Sequence, residues 1–271
     1  MNDPNSAELI VVSRPQTAVE LWTLNLPDQR NPITDEPMIN ALVENIERIE
    51  TDSTIKCVIL TGEGKAFSAG GNVKKMADRT GMFGGTFAEL AEGYRTGVQR
   101  IPLAMKDTEV PFIAAVNGPA VGAGMDLTTM CDLRIASERA WFAESFVQLG
   151  LIAGDGGAWF LPRLIGPARA AEMALTGDRI DAVTAERWGL VNYVVPADEL
   201  LDRALELAGR IVANPAYSVR ATKRLLLKSE SHTLSSMLDE CAELQATAHF
   251  QPDHHEALAA MLEKRKPNFT T

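Results

Sequence analysis

Two small-residue loops, each between an apolar run and a helix-like segment, are the parts of this sequence best suited to chemistry. One is FSAGGNV at 67–73, after IKCVILTG, and the other is NGPAVGAG at 117–124, after PFIAAVN. A Gly/Ala turn that opens a helix leaves backbone N–H groups bare at the positive end of that helix. One N–H from each loop, of Gly71 and of Ala123, would supply the two convergent donors that a developing oxyanion needs. A plain strand–turn–helix junction, with small residues for packing, is the alternative interpretation.

Carboxylates, rather than histidines, are the side chains that could move protons near these loops. No HExxH motif is present, and every histidine falls in the helix-like C-terminal part of the chain. A Ser-His-Asp arrangement and a histidine metal site are therefore not expected, and we predict no metal ion. The histidines are His232, His249, His254 and His255.

Two aspartates adjoin the predicted helix starts. Asp126 lies three residues after Ala123, where an acid can satisfy bare N–H groups or act as a general acid/base. Asp155 lies in AGDGG at 153–157, where it can cap a helix that begins near Gly156 or carry a proton. A carboxylate in a water-poor pocket has a raised pKa, which makes it a better base near neutral pH. Both alternatives stay open for both residues.

Composition sets the class of protein and excludes several partners. The chain has 271 residues, 46% hydrophobic and 23% charged, which is an ordinary globular balance. Its net charge of −10 gives no electrostatic case for binding nucleic acid or an anionic membrane. No apolar run approaches transmembrane length, and the acidic, polar N-terminus is not a signal peptide. Cys57, Cys131 and Cys241 form no CxxC pair, which suits a reducing cytoplasm.

Hydrophobic periodicity predicts an α/β chain that ends in helices. Residues 8–12 and 19–25 predict an opening hairpin. Further strands are predicted within 55–61, 111–117, 131–137 (CDLRIAS), 140–145 (AWFAES) and 191–196. From Asp198 onward every segment is helix-like. We therefore predict an α/β core at 1–197 and a helical region at 198–271.

Five stretches together resemble the enoyl-CoA hydratase/isomerase family, also called the crotonase family. They follow the order of the family and cover most of residues 20–200. Together they are a highly specific signal, whereas any one alone would be weak. The stretches are LNLPDQRNPIT at 24–34, VILTGEGKAFSAGGNVKKM at 58–76, AAVNGPAVGAGMDLTTMCDLRIAS at 114–137, WFAESFVQLGLIAGDGGAWFLPRLIGPARAAEMALTGDRIDA at 141–182 and AERWGLVNYVV at 185–195.

The resemblance implies a crotonase-like (ClpP/crotonase) α/β fold, with repeated ββα units in a spiral and a C-terminal helical region. It implies an acyl-CoA thioester as substrate, with the N–H groups of Gly71 and Ala123 holding the enolate. Coenzyme A would be part of the substrate, and no separate cofactor is expected. The helices after 198 would build a homotrimer or a dimer of trimers. The residues expected to bind the substrate or its CoA part are Ala66, Ser68, Gly71, Asn72, Val73, Lys74 and Gly122.

The catalytic carboxylates of the family are matched only in part. Family hydratases place a glutamate where this chain has Asp126, and dienoyl-CoA isomerases place an aspartate there. The second glutamate of the hydratases corresponds to Phe146, which can neither move a proton nor orient a water. Glu144 substitutes for it only if AWFAES has a matching strand register. Some family isomerases and a dehalogenase have a catalytic aspartate in the loop of Asp155, but it aligns with Gly154, one residue away.

These observations predict an enzyme that forms a thioester enolate. Double-bond isomerisation is favoured over standard hydration because Phe146 replaces the second glutamate, and Asp126 would move the proton with Asp155 or Glu144. One alternative is a hydratase in which Asp126 works with a water held by Asp155 or Glu144. The other is a catalytically inactive acyl-CoA-binding protein. The irregular, Gly-containing stretch 77–109 would cover the acyl chain and set substrate choice.

Overall fold

Strands and helices alternate through most of the chain, and helices alone follow the last strand. The computed structural model describes residues 8–229 and 231–269. The strands are β1 (Ile10–Gln16), β2 (Val19–Leu24), β3 (Cys57–Gly62), β4 (Phe112–Val116), β5 (Ala120–Val121), β6 (Leu133–Ser137), β7 (Trp141–Ala143), β8 (Arg179–Asp181) and β9 (Tyr193–Val195). The helices are α1 (Glu36–Thr51), α2 (Val73–Ala77), α3 (Phe87–Thr96), α4 (Arg100–Asp107), α5 (Ala123–Met130), α6 (Gly157–Thr176), α7 (Ala182–Trp188), α8 (Leu200–Val212), α9 (Ala216–Lys228), α10 (Leu234–His249) and α11 (Pro252–Glu263).

Two sheets organise these elements. The larger has the strand order β1-β2-β3-β4-β6-β9, and the smaller has the order β5-β7-β8. β1 pairs with β2 in antiparallel fashion, which confirms the predicted opening hairpin. The pairs from β2 through β9 in the larger sheet are parallel. Because parallel strands end at the same edge, the two Gly-rich loops after β3 and β4 are brought to one edge of the sheet.

Both faces of the larger sheet are covered. Trp22, Leu60 and Phe112 point to the larger core, which includes side chains of α1, α4, α5 and α6. Ile59 and Ile113 point to the opposite face, where α8 packs. Burial on two sides explains why β3 and β4 are continuous apolar runs without alternation. Trp22 and Phe112 meet edge to face, with ring centroids 5.3 Å apart.

The region around residues 140–157 differs from the prediction. AWFAES forms a strand only over Trp141–Ala143; Glu144 follows that strand, and Phe146 belongs to the 3-10 turn Ser145–Leu149. Strand register therefore does not relate the side chains of Glu144 and Phe146. The strands β5 and β8 were not predicted, because segments of two or three residues are too short to show periodicity.

The stretch predicted to be irregular contains the helices α3 and α4. α3 begins with a complete capping box, in which Thr86 accepts the Glu89 N–H and the Glu89 carboxylate accepts the Thr86 N–H at 2.8 Å. α4 packs against α1 and α5. The stretch is thus anchored to the core through α4.

The C-terminal helices divide into two groups by their packing. α8 buries Leu200, Ala204 and Leu207 against the larger sheet, so the boundary predicted at 197/198 separates the sheet from a helix that covers it. α10, all of which the structure describes, has no buried residue, and its main contacts are with α9 and α11. We call residues 234–263 the C-terminal arm. No helix in the described part of the chain is both long enough and apolar enough to cross a membrane.

Candidate active site

The loops that follow β3 and β4 lie against each other. The Val121 N–H donates to the Ser68 carbonyl at 3.0 Å. A side chain on Gly70, which has φ +78°, would come within 2.4 Å of the Val121 carbonyl oxygen and 2.8 Å of the Ala123 nitrogen. Glycine is therefore required at position 70 both for its left-handed backbone and for space. This packing brings Gly71 and Ala123 onto adjoining segments.

Both of the predicted oxyanion donors have a free N–H. Within residues 8–229 and 231–269, neither the N–H of Gly71 nor that of Ala123 has a protein acceptor. Ala123 is the first residue of α5, where N–H groups lie beyond the reach of intrahelical bonds. Gly122 before it has φ +53° and ψ −126°, a conformation that disfavours residues with a side chain. The Ala123 N–H, at the positive end of the buried α5, is suited to holding an oxyanion, and Gly71 offers its N–H from the loop before α2.

Asp126 lies in the first turn of α5 and its side chain is 0% exposed. Neither of its carboxylate oxygens has a hydrogen-bond partner in the described part of the chain, and no described side chain caps α5. The capping interpretation of Asp126 therefore has no contact to support it. Burial raises the pKa of Asp126 well above its usual value, and the neighbouring Glu144 carboxyl raises it further.

Glu144 approaches the same place from the end of β7. Its side chain is 1% exposed, and neither oxygen has a partner among the described residues. Burial raises the pKa of Glu144 to about 7, and the charge of Asp155 raises it further. The charge of each carboxylate disfavours ionisation of the other, so Asp126 and Glu144 do not both ionise readily.

Asp155 does not cap α6. The N-cap position is Gly156, at φ +115°, and no described side chain caps this helix. A true cap in this chain is the exposed Asp181, which accepts the Thr184 N–H at 2.8 Å. Asp155 is instead 4% exposed, and its Oδ1 has no partner in the described ranges. Burial, and then the charge of Asp126, raise the pKa of Asp155 to about 7.

Gly157, the first residue of α6, adjoins these carboxyl groups. A Cβ on Gly157 would lie 2.0 Å from Asp126 Oδ1 and 2.9 Å from Glu144 Oε1. Any side chain at this position would push the carboxyl groups away. Sequence reasoning missed this residue; the signal was a second glycine after Asp155, which a helix start alone does not need. We call Asp126, Glu144 and Asp155 the carboxyl cluster.

Phe146 borders the turn that begins α5. Its ring atoms Cζ and Cε1 lie 3.6 and 3.7 Å from the position that a Cβ would take on Gly122. An apolar ring edge thus stands beside the free N–H of Ala123, at the residue that corresponds to the second glutamate of the hydratases. A phenyl ring has neither the donor nor the acceptor needed to position a water.

The residues expected to bind the substrate or CoA differ in exposure. Ala66 and Ser68 are buried, and the Ser68 hydroxyl is used inside the protein. Asn72 caps α2 through its side-chain oxygen. Val73 and Lys74 are exposed at the start of α2. Within this loop, then, residues 73–74 can meet a ligand from solvent, whereas the buried residues shape the loop.

Three residues that sequence reasoning did not single out lie beside the site. Tyr94 on α3 has ring carbons 3.8 and 4.0 Å from the Cβ position of Gly154, and burial is the main cause that raises its pKa. The Gln99 side chain donates to the Gly154 carbonyl at 3.0 Å. The Thr34 hydroxyl is buried without a partner among the described residues, 3.8 Å from the Cβ position of Gly71. No local motif marks these residues, because tertiary packing alone places them here.

A cavity of about 800 Å³ lies on another side of α5, between α6, α8 and α9. Its lining is largely apolar and includes Met130, Trp159, Leu207, Ile211, Val219 and Leu226. No member of the carboxyl cluster lines it. The candidate active site is therefore the edge where the two Gly-rich loops and the carboxyl cluster meet, and not this cavity.

The fold and the site together define an α/β protein with buried proton carriers beside two free backbone donors. The sequence profile described as Enoyl-CoA hydratase/isomerase matches residues 14–271. The chain is 36% identical over 261 residues to the 1,2-epoxyphenylacetyl-CoA isomerase of Escherichia coli K12, covering 96% of this chain and 98% of that protein. It is 38% identical over 263 residues to the probable enoyl-CoA hydratase echA8 of Mycobacterium tuberculosis, covering 97% and 98%. The chain belongs to the enoyl-CoA hydratase/isomerase family.

A solved structure supports the same conclusion for the fold. The crystal structure of an enoyl-CoA hydratase from Bacillus anthracis superposes with a TM-score of 0.90 at 32% identity, covering 97% of this chain and 99% of that one. The predicted crotonase fold is confirmed. The chain is an enzyme of the hydratase/isomerase type acting on acyl-CoA.

Proposed function

We propose that this enzyme converts an acyl-CoA thioester to its enolate and returns the proton to another carbon, so that it acts as a double-bond isomerase. One observation carries the proposal. The carboxyl cluster is buried, has oxygens without partners in the described part of the chain, and lies by the bare N-terminus of α5. Buried carboxyl groups without partners are costly to stability, so a role in proton transfer is the physical reason to keep them.

The first step breaks a C–H bond next to, or conjugated with, the thioester carbonyl. Asp155 or Glu144, each with a pKa of about 7, is ionised in a sizeable fraction of molecules near neutral pH and accepts the proton. The electron pair of the C–H bond moves onto the thioester oxygen. That oxygen gains charge next to the N–H groups of Gly71 and Ala123, which stabilise the enolate.

The second step forms a C–H bond at a different carbon. The electron pair returns from the enolate to that carbon. The carboxyl group that took the proton, or the pair of Asp126 and Glu144, delivers a proton to the same carbon. The proton passes back from the carboxyl cluster to the substrate, and exchange of the cluster with D₂O between the two steps carries deuterium into the substrate. No atoms are gained or lost in the two steps. Acyl-CoA is therefore the only reactant that the two reaction steps need, and we propose no separate cofactor.

Hydration is the second candidate, and a specific observation favours it. The orphaned oxygens of Glu144 and Asp155 can hold a water that Asp126 helps to activate. The names of the relatives are divided between an isomerase and a probable hydratase. Against hydration stands Phe146, whose ring occupies the border of the Gly122 turn.

Proton exchange followed by NMR separates these candidates. The purified enzyme in D₂O is mixed with a short 3-enoyl-CoA, a 2-enoyl-CoA and a saturated acyl-CoA. Asp126→Asn and Asp155→Asn are compared with Asp181→Asn, which keeps the capping oxygen at α7 and lies outside the cluster. We expect α- and γ-proton exchange or bond migration without water addition, lost in Asp126→Asn and retained in Asp181→Asn.

The other outcomes assign different functions. Water addition to the 2-enoyl-CoA would establish hydration and overturn the isomerase proposal. Binding of CoA with no exchange on any of the three thioesters would leave an acyl-CoA-binding protein. Loss of exchange in Asp155→Asn as well would make Asp155 a second proton carrier.

We also propose that the C-terminal arm mediates assembly into a homotrimer or a dimer of trimers. Its apolar side chains Leu234, Leu238, Phe250, Met261 and Leu262 are exposed in the single chain. Such a surface on a structured helix pair is typical of a protein–protein interface. Light scattering after size-exclusion chromatography tests this. Met261→Ser with Leu262→Ser should lower the mass per particle, whereas the control Leu103→Ser on α4 should not.

A further inference from the structure

We propose that Asn31 and Ser68 are positioning residues that set the separation of the two oxyanion donors, Gly71 and Ala123. The inference rests on the proposed function, because it assumes that these two N–H groups act on the thioester oxygen. It assigns Ser68 a role different from the substrate contact expected from the sequence. Four steps lead from the Asn31 side chain to the second loop.

The first step is the conformation and burial of Asn31. It follows Arg30, and both residues have positive φ, at 62° and 55°. Asparagine tolerates this left-handed region better than most residues with a side chain. Asn31 is 0% exposed, so its amide must find all its partners inside the protein. The backbone here turns sharply and aims the Asn31 side chain at the loop after β3.

The second step is the set of hydrogen bonds that the Asn31 amide makes. Its Oδ1 accepts the Leu26 N–H at 2.9 Å. Its two Nδ2 hydrogens are shared among the carbonyls of Glu63, Ala66 and Phe67, at N···O distances of 3.0, 2.9 and 3.2 Å. One side chain thus gathers three carbonyl groups of the segment that leads to Ser68. This holds the beginning of the first loop at a fixed place.

The third step is the Ser68 hydroxyl. It donates to the Asn31 carbonyl at 2.7 Å and accepts the Gly70 N–H at 3.1 Å. A backbone hydrogen bond from the Ala69 N–H to the Arg30 carbonyl, at 2.8 Å, joins the same two segments. The hydroxyl therefore fixes the Ala69–Gly70 peptide, and the Ile33 N–H holds the next peptide by donating to the Gly70 carbonyl at 2.9 Å. The Gly71 N–H belongs to this next peptide, so its direction depends on both bonds.

The fourth step is the contact of Ser68 with the second loop. A Cβ on Gly124 would lie 2.4 Å from the Ser68 carbonyl oxygen and 2.7 Å from its Oγ. Ser68 is thus packed directly on the first turn of α5, one residue beyond Ala123. The same side chain bonds the N–H of Gly70, one residue before the first donor, and packs against Gly124, one residue after the second. Their spacing therefore depends on Ser68, and the position of Ser68 depends on Asn31.

Ser68→Ala tests this with little change of volume, and Ser137→Ala is the matched control. Ser137 is also 0% exposed, and its hydroxyl also accepts a backbone N–H, that of Arg139 at 3.2 Å, but it lies on β6 outside the site. We expect Ser68→Ala to lower the maximal proton-exchange rate by about 10- to 100-fold, because misplaced donors lose transition-state stabilisation. The Kd for free CoA should stay unchanged. Ser137→Ala should alter neither.

A spectroscopic measurement reports the donors directly. Binding to the wild-type enzyme should shift the ¹³C resonance of the carbonyl in [1-¹³C]butyryl-CoA and [1-¹³C]octanoyl-CoA downfield, because two N–H groups polarise it. In Ser68→Ala the bound shift should move back toward the free value. Asn31→Asp should have the same effect, because it replaces the amide donor that faces three carbonyls by an acceptor. A thermal unfolding transition of each variant shows that it is folded.

The outcomes separate two failures. No carbonyl shift in the wild-type enzyme would overturn the proposed function and the positioning role with it. A wild-type shift that Ser68→Ala retains in full, at an unchanged exchange rate, would overturn the positioning role alone. A weaker Kd for CoA in Ser68→Ala with an unchanged bound shift would restore Ser68 as a substrate contact.

Discussion

Glu20 on β2 and Asp126 on α5 are equally deep in the protein, with exposures of 1% and 0%, but their surroundings are opposite. The Glu20 carboxylate accepts hydrogen bonds from Trp22 at 2.8 Å, from Arg14 at 3.1 Å and from Arg48 at 2.5 Å. The Asp126 carboxylate has no partner in the described ranges and faces another acid, Glu144. Burial alone therefore does not determine the environment of a carboxylate in this chain.

The two environments move the pKa in opposite directions. Burial is the first cause at both sites and raises the pKa at both. At Glu20 the bonds to Arg48 and Trp22 outweigh it, so the pKa of Glu20 is lowered. At Asp126 the neighbouring acid adds to it, so the pKa is raised. This fold can therefore supply partners to a buried carboxylate. Among the described residues, buried carboxylate oxygens without partners occur only in the carboxyl cluster, beside the free N–H groups.

The largest expected effect comes from replacing Asp126 by asparagine. We expect the proton-exchange rate to fall by about 10²- to 10⁴-fold, because a general acid/base is lost. The thermal stability of Asp126→Asn should be equal to or higher than that of wild type, because the change removes an acid that faces Glu144. Exchange is measured by NMR in D₂O and stability by calorimetry. A large loss of stability would show that Asp126 stabilises the fold as Glu20 does, and would contradict the contrast between the two sites.

Gly157→Ala should have the next largest effect, because it crowds the cluster without removing a carboxyl group. The new methyl group would overlap Asp126 Oδ1 at 2.0 Å. We expect the exchange rate to fall by more than about 10-fold and the free energy of unfolding by about 1–3 kcal/mol. Gly209→Ala on α8 is the control, since its Cβ would meet only Gln16 Oε1, at 3.6 Å. Equal effects of the two substitutions would show that the cluster is not tightly held by Gly157.

Glu20→Gln tests the other side of the comparison. It keeps the shape of the side chain but removes the charge that Arg14 and Arg48 bind. We expect the free energy of unfolding, from urea denaturation, to fall by about 1–3 kcal/mol, because charge-assisted hydrogen bonds to a buried group are lost. Proton exchange should be unchanged. Glu44→Gln, at an exposed position on the same α1, should stay within about 0.5 kcal/mol of wild type.

The loop that positions each donor could be predicted from the sequence, because its signal is local. A run of small residues between an apolar strand and a helix predicts a turn with bare N–H groups, and Asp126 is close enough in sequence to share that prediction. The parallel order of β3 and β4 also follows from two such units in one chain. Resemblance to a known family then supplied the fold as a whole.

Only the resemblance to a known family suggested that Asp126 works with Asp155 or Glu144, because the convergence of the carboxyl cluster depends on tertiary packing. Glu144 ends β7 and Asp155 precedes α6, and nothing in either local pattern states that both elements meet α5. The capping interpretation of Asp155 was reasonable locally and lacks a contact only because Gly156 takes the N-cap position. Tyr94 is a further example, because nothing in the sequence of α3 predicts that this residue contacts the loop at Gly154.

The dependence of stability on pH distinguishes Glu20 from the carboxyl cluster, here through Asp155. Asp155 has a pKa of about 7 in the folded state against an ordinary value of 3.8. The folded protein therefore binds more protons than the unfolded chain between these values, and this group lowers the free energy of unfolding as the pH rises from about 4 to 7. Glu20 has the opposite sign. Its pKa is lowered from 4.5, so its contribution is complete above that pH and is lost as the pH falls below it.

Two variants resolve these opposing contributions in urea denaturation measured from pH 4 to pH 8. The free energy of unfolding of Asp155→Asn, relative to that of wild type, should rise by on the order of 2 kcal/mol between pH 5 and pH 8. The reason is that asparagine does not ionise in the buried site. Glu20→Gln should show its full loss throughout that interval, and a smaller one as the pH approaches 4. If wild type and Asp155→Asn followed parallel curves, Asp155 would ionise as freely as a surface acid. The carboxyl cluster would then differ from Glu20 in its hydrogen bonds but not in the cost of its charge.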